Sequence, residues 1–207
     1  NCDLSVKGII MKTASHHNEL ATLSSVLLTN LDEVVFFAKL SGFVQDIMIE
    51  HKVLGFEVLS DGCTRLLSEN GQALSTAKLL NKGQGLSGYV ARMKRAYYSN
   101  AVKRDPIAST GHRDESVEAE LCVPVMIDGS VIGTINVQSI KKDRNFCEAD
   151  IAVINDILKE LHTPIKNMHL FLVAKNLNRE LQTRIEAKEK ELSNRVEIQV
   201  SRGSEDN

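Results

Sequence analysis

The loop VKRDPIASTGHRDESVE brings Arg104, His112 and Arg113 close together in sequence. Two guanidinium groups can grip an anion, and an imidazole can take or give a proton near neutrality. Pro106 and Gly111 keep the stretch irregular, and a loop this long inside a compact domain is usually functional. Further on, Thr134, Asn136 and Gln138 fall on every second residue. A strand would turn their hydroxyl and amide groups to one face, where they can meet water, a ligand or a covering helix. Sulfur chemistry is less concentrated. Cys2, Cys63, Cys122 and Cys147 form no Cys-x-x-Cys pair and no staple pattern, which predicts buried free thiols in a reducing compartment. The doublet His16-His17 has no partner at ligand spacing, so no metal site is expected.

These groups need elements to position them, and the composition allows an ordinary folded domain. Of 207 residues, 43% are hydrophobic and 25% charged, with a formal net charge of −2 that gives no general attraction to nucleic acid or anionic lipid. An aromatic share of 4% without tryptophan offers no stacking platform for single strands. No apolar run approaches the ~20 residues of a membrane span, and the chain does not open on a signal-peptide pattern. A cytoplasmic location follows as the expectation, with neither nucleic acid nor membrane as partner.

The pattern along the chain changes three times. From about Asn18 to Ile49, Leu20, Leu23, Leu27, Leu31, Val34 and Ala38 recur at threes and fours, the mark of an amphipathic helix. Asn30 followed by Glu33 has capping-box spacing, so a second helix can start there. From Val53 to Ile140 the period drops to two. VLGFEVL and TRLLSENG form a hairpin around Asp61-Gly62, and ELCVPVMIDGSVIGTINVQ forms another around Asp128-Gly129. In the second, Leu121, Val123, Val125, Ile127, Val131, Gly133, Ile135 and Val137 make the core face. Between the hairpins, GLSGYVARMKR suits a short helix and AYYSN a strand. From Glu148 to about Val200 the helical period returns. Ile154, Leu158, Leu161, Ile165, Met168 and Leu172 trace a heptad seam, and Val173, Leu177, Leu181 and Ile185 continue out of phase before Leu192, a stutter in a coiled coil. At about 1.5 Å per residue such a helix runs roughly 70 Å, more than one small domain can bury, so a second copy of the chain is the expected cover.

QGLSGYVARMKRAYYSN, Asp105-Pro106, ELCVPVMIDGSVIGTINVQS and the Phe146 to Asp150 run that opens the last helix together resemble a GAF domain, from about Leu20 to Leu172. The resemblance implies an α+β fold related to PAS. Its central antiparallel sheet of five or six strands would carry the N- and C-terminal helices on one face, the latter extending as a coiled coil. It also implies a small-molecule pocket on the other face, roofed by the middle segment and the loop from Arg104 to Glu118. Tyr98, Asn100, Arg104, His112, Arg113, Asn136 and Gln138 are then the candidate ligand-binding residues. Leu20, Leu23, Leu27, Leu161, Ile165, Met168, Leu172, Leu177, Leu181, Ile185 and Leu192 are the candidates for a homodimer interface. Residues 1–17 are expected to be flexible and 18–172 to form the domain, with helices over 18–50, sheet and pocket over 53–140 and the final helix from 148. Residues 173–200 would follow as coiled coil and 201–207 as a disordered tail.

Departures from the family's motifs narrow the chemistry. Cyclic-nucleotide-binding members carry Asn-Lys and then Phe, three residues, Asp-Glu; here Val137 and Ile151 replace the Lys and Glu. No cysteine accompanies His112 to hold a bilin, and a lone loop histidine suits solvent or a hydrogen bond better than haem. The free-methionine-sulfoxide reductases use a cysteine where this chain has Ser87, and further ones in the lid, where this chain has none. The implied function is a regulatory sensory module of a cytoplasmic signalling protein, non-enzymatic and without cofactor or metal. It would dimerise through its terminal helices and pass a pocket or partner signal to a downstream output domain. The alternatives are a small-molecule reductase and a ligand-free dimerisation domain.

One last stretch, KELHTPIKNM, resembles the phosphoacceptor box of sensor histidine kinases. Lys159 stands where that family has its histidine, and His162 stands three residues on, ~60° round the helix, out of line for phosphoryl transfer. Pro164 is expected to bend a continuous helix here.

Overall fold

This computed structural model describes residues 21, 24–25, 32–110 and 114–203, the last nine by their backbone alone. The expected N-terminal segment, residues 204–207 of the expected tail, the candidate interface residues Leu20, Leu23 and Leu27, and the candidate ligands His112 and Arg113 lie outside the described residues, while 201–203, expected in a disordered tail, continue the last helix.

Helix α1 (Glu33–Ile47) starts at Asp32, whose Oδ1 accepts from the N–H groups of Val34 at 2.9 Å and Val35 at 3.1 Å. The cap thus lies two residues beyond the expected Asn30. Phe36, Phe37, Leu40, Val44 and Ile47 recur at helical spacing and are all buried. Six antiparallel strands form one sheet in the order β3-β2-β1-β6-β5-β4. They are β1 (Lys52–Val58), β2 (Thr64–Glu69), β3 (Gln72–Leu80), β4 (Tyr97–Ser99), β5 (Ala119–Ile127) and β6 (Ser130–Ser139). Both expected hairpins form. The sequence pattern assigns no strand to 72–80, yet β3 pairs with β2 across the two-residue turn Asn70-Gly71, both at positive φ.

Successive side chains alternate across the sheet. On one face, Val53, Leu121, Val123, Ile135 and Val137 are almost wholly buried beneath α1 and α3 (Glu148–Glu160). The helix sits tight because Gly133 has no side chain: a Cβ there would fall 2.1 Å from Phe37 Cζ and 2.4 Å from the Phe56 carbonyl oxygen. Helix α2 (Gly85–Met93) contacts β4, β5 and β6 from the opposite face.

Helix α3 is capped reciprocally at Cys147, whose N–H donates to Asp150 Oδ2 at 2.9 Å. It ends at Glu160, Leu161 leaves helical geometry, and α4 runs His162–Gly203. Pro164 therefore falls in the first turn of a new helix instead of bending a continuous one, and its missing N–H there would have had no partner within the helix. The chain divides after Met168 into two units. In the first, Leu161, Ile165 and Met168 are buried in the chain's own core, which removes them from any exposed seam. In the second, no residue from 169 to 194 is buried, and Leu170, Phe171, Val173, Leu177, Leu181, Ile185 and Leu192 are exposed.

The cysteine expectation needs correction at two positions. Cys63 and Cys122 are free thiols, but Cys63 is only half-buried and Cys147 is disulfide-bonded. Spacing along the chain does not report which thiols are oxidised. No helix among the described residues is long and apolar enough to cross a membrane.

Candidate functional site

Beneath α2 lies a cavity of about 410 Å³. Its apolar wall comes from Leu54, Phe56, Leu66 and Leu80 on β1 to β3, Leu86 on α2, and Val102, Ala108 and Val117 on the following loop. Its polar wall is Ser87, Glu120, Asn136 and Gln138, while Lys52, Glu69, Lys78 and Asp114 line the more exposed part. Gly88 lets the turn before α2 fold back onto the helix, since a Cβ there would lie 2.7 Å from the backbone of Gly83.

The polar wall is a directed network. Ser87 Oγ donates to Asn136 Oδ1 at 3.1 Å, and Thr134 Oγ1 donates to the same oxygen at 3.3 Å. With its oxygen occupied, the amide turns Nδ2 to Glu120 Oε1 at 2.8 Å, and Gln138 Nε2 donates to that oxygen at 3.2 Å. A carboxylate only accepts, so the orientation of both amides follows from the chemistry. Burial pushes the Glu120 carboxyl above its ordinary range, against the pull of these two donors. Cys122, fully buried on the same face beside Ser87 and Thr134, is likewise driven up by burial and by the negative charge of Glu120. It therefore stays a thiol and not a thiolate.

The lid loop is pinned at both ends. Asp105 Oδ1 accepts from the N–H groups of Ile107 at 2.8 Å and Ala108 at 3.0 Å, and its Oδ2 accepts from the Tyr97 hydroxyl at 2.9 Å. Burial alone would raise the Asp105 carboxyl, but the N–H of Ala108, the Tyr97 hydroxyl and other donors outweigh it and hold it below its ordinary value. Thr110 Oγ1 accepts from the Gly85 N–H at 2.9 Å, tying the loop to the start of α2. Leu86, Val90, Val102, Ala108, Val117 and Cys122 pack together beneath.

Of the candidates named from sequence, Asn136 and Gln138 line the cavity. Tyr98 does not: its neighbour Tyr97 faces the lid, and alternation along β4 turns Tyr98 to the opposite face. Asn100 is spent on the backbone of Phe146, and Arg104 is exposed away from the cavity lining. Sequence reasoning missed Glu120, Ser87 and Cys122. The signal was present, because Glu120 and Cys122 alternate with the core-facing Leu121 and Val123 and pair across the ladder with Gln138 and Asn136.

The GAF domain family profile matches residues 39–160, and the chain belongs to that family. Among solved structures it is similar to a free methionine-R-sulfoxide reductase from Neisseria meningitidis in complex with its substrate. That match has 19% identity, covers 77% of this chain and 93% of that chain, and has a TM-score of 0.61. It is similar also to residues 122 to 287 of a methyl-accepting chemotaxis protein, at 14% identity over 72% and 98% of the two chains, with a TM-score of 0.59. The GAF domain of a phosphoenolpyruvate-protein phosphotransferase from Acinetobacter matches at 18% identity over 74% and 93%, also with a TM-score of 0.59. At such identities the likeness speaks for the fold. No curated protein sequence matches the chain.

Proposed function

We propose that this chain is a regulatory sensory module of a signalling protein. It takes a small molecule into the cavity beneath α2, associates as a homodimer, and passes the change in occupancy through α3 and α4 to an output domain. The observation that carries this reading is the roofed cavity, whose lid loop is joined by Asn100 to the backbone just before α3. Any shift of the lid on binding therefore reaches the entry of the C-terminal helices. Signalling relatives with this fold, the chemotaxis and phosphotransferase proteins, support it. The exposed apolar side chains of α4 supply the surface for a second copy.

The rival is a reductase like the Neisseria enzyme. Against it stand Ser87 in place of the expected thiol and a Cys122 held protonated by burial, neither of which is a competent nucleophile. Turnover on free methionine-R-sulfoxide that disappears in Cys122→Ser would sink the non-enzymatic reading. Native mass spectrometry of the purified chain should show a bound small molecule. Sedimentation at tens of micromolar should show a dimer, and a monomer whose circular dichroism reports a fully formed α4 would remove the homodimer.

A further inference from the structure

We infer that the cavity beneath α2 selects a small organic ammonium, an amine with a short apolar body, whose positive charge is received by Glu120. The inference rests on the reading of this cavity as the sensory site and names the class of ligand.

The Glu120 carboxylate has no counter-ion among the described residues. Glu120 is 8% exposed and lines the cavity, with both of its hydrogen bonds on Oε1 from neutral amides. No Lys or Arg among the described residues forms an ion pair with it. Lys52, one strand over beside Gln138, is held instead by Glu69 at 2.9 Å. The charged group that does act on Glu120, Asp105, is also negative. The thiol of Cys122 on the same face brings no positive charge, and Lys78, Glu69 and Asp114 lie toward the exposed part of the lining. Buried carboxylates are normally paired with a cation, and here, with no cation beside it among the described residues, the space next to Glu120 is a cavity.

The rest of the lining fixes the shape of the cation. Leu54, Phe56, Leu66, Leu80, Leu86, Val102 and Val117 offer an aliphatic and aromatic wall, which a hydrated metal ion cannot use and an alkyl body can. Among the described residues no cluster of His, Cys, Asp and Glu could hold a metal. The Ser87 and Thr134 hydroxyls lock Asn136, and Asn136 with Gln138 fixes the carboxyl plane before any ligand arrives. Burial raises the Glu120 carboxyl above its ordinary value, and an ammonium beside it would favour the ionised form.

The test uses three isosteric probes on the full chain near neutral pH: isopentylamine, isopentanol and isovalerate, titrated by calorimetry with the Glu120 carboxyl resonance followed by NMR. The amine is expected to bind about tenfold or more tightly than the alcohol. It should perturb the Glu120 resonance, which the alcohol leaves in place, and lose its advantage in Glu120→Gln. An alcohol or carboxylate that binds as well as the amine, or a preference that persists in Glu120→Gln, overturns the assignment, as does failure of all three to bind. Binding of the alcohol or isovalerate instead would leave the sensory reading standing while removing the ammonium class.

Discussion

Asn100 and Phe146 hold each other by two hydrogen bonds: Asn100 Nδ2 donates to the Phe146 carbonyl at 3.0 Å, and the Phe146 N–H donates to Asn100 Oδ1 at 2.7 Å. A side-chain amide can satisfy one peptide group on both sides, and Phe146 is buried, so loss of the amide leaves a donor and an acceptor unpaired. Asn100→Ala should cost about 2 kcal/mol in urea unfolding with an unchanged m-value. Asn100→Asp should not restore it, because a second acceptor would then face the Phe146 carbonyl. A loss within about 0.5 kcal/mol would show that the pair contributes little.

A second prediction concerns pH. His51 is buried, its Nε2 accepts from Arg144 Nε at 3.3 Å, and Arg144 is bridged to the buried Asp150 at 2.7 Å. Burial, then the Arg144 charge, depress the His51 imidazole below 6.5, with Lys141 acting the same way and Asp150 and Glu50 opposing. The unfolded chain therefore binds this proton first. The stability it contributes is present above about pH 6.5 and lost as pH falls through the folded value. Urea unfolding at about pH 7.5 and about pH 5.5 should show a loss that His51→Gln, which keeps the acceptor, reduces. Equal losses in both proteins would exonerate the histidine.

Gly133 makes a steric prediction. An added methyl would meet the Phe37 ring and the Phe56 carbonyl at distances that real Cβ atoms do not reach. Gly133→Ala should lose about 3 kcal/mol, toward the upper end for overpacking, because the obstructing carbonyl belongs to a paired strand. Phe37→Leu in the same chain should recover only part, since it relieves the ring and not the carbonyl. A thermal midpoint unchanged in Gly133→Ala would contradict this packing.

Most of the core face of β5 and β6 was legible in the sequence, though Val131, expected in it, is only half-buried opposite Met126; the register was not legible. A two-residue turn at Asp128-Gly129 pairs Ile127 with Ser130, which would set core-facing Val125 opposite Ile132 on the wrong face. The structure resolves this with a bulge between Val125 and Met126, after which Val125 meets Gly133 and Glu120 meets Gln138. Alternation alone implies such a slip but does not say where it falls. The β3 strand escaped because it is an edge strand, exposed along most of its length, so burial imposes little alternation on it; the Asn70-Gly71 turn was its readable mark. The lid could not be read because Asp105, Thr110 and Asn100 act through partners up to 46 residues away. Only tertiary packing brings those partners within reach.

Glu120 also predicts a stability effect separate from binding. Its carboxyl is raised above 4.5 by burial, so the stability it contributes is fully present below that value and declines as pH rises through the folded one. Glu120→Gln keeps an acceptor for Asn136 and Gln138 without the charge. It should match the wild type in acid and exceed it in thermal midpoint near neutrality. A variant less stable than the wild type near neutral pH would mean that the network favours the ionised form more than burial opposes it.

The final prediction concerns α4. Leu177, Leu181 and Ile185 are each about half exposed, at 54%, 46% and 57%. Residues four apart advance by about 40° around a helix, so Val173 to Ile185 forms a slowly curving apolar band instead of a straight seam. A helix with such a band, otherwise charged and laced by pairs such as Arg184 with Glu180 at 2.6 Å, reaches greatest stability when a second helix covers the band. Replacing Leu181 and Ile185 by Glu should convert a dimer to a monomer in sedimentation and lower the helical signal at the same concentration. Exchange of the exposed Arg184 and Lys188 for Gln should do neither. A dimer that survives Leu181→Glu with Ile185→Glu would locate the association elsewhere in the chain and leave this band without a role in it.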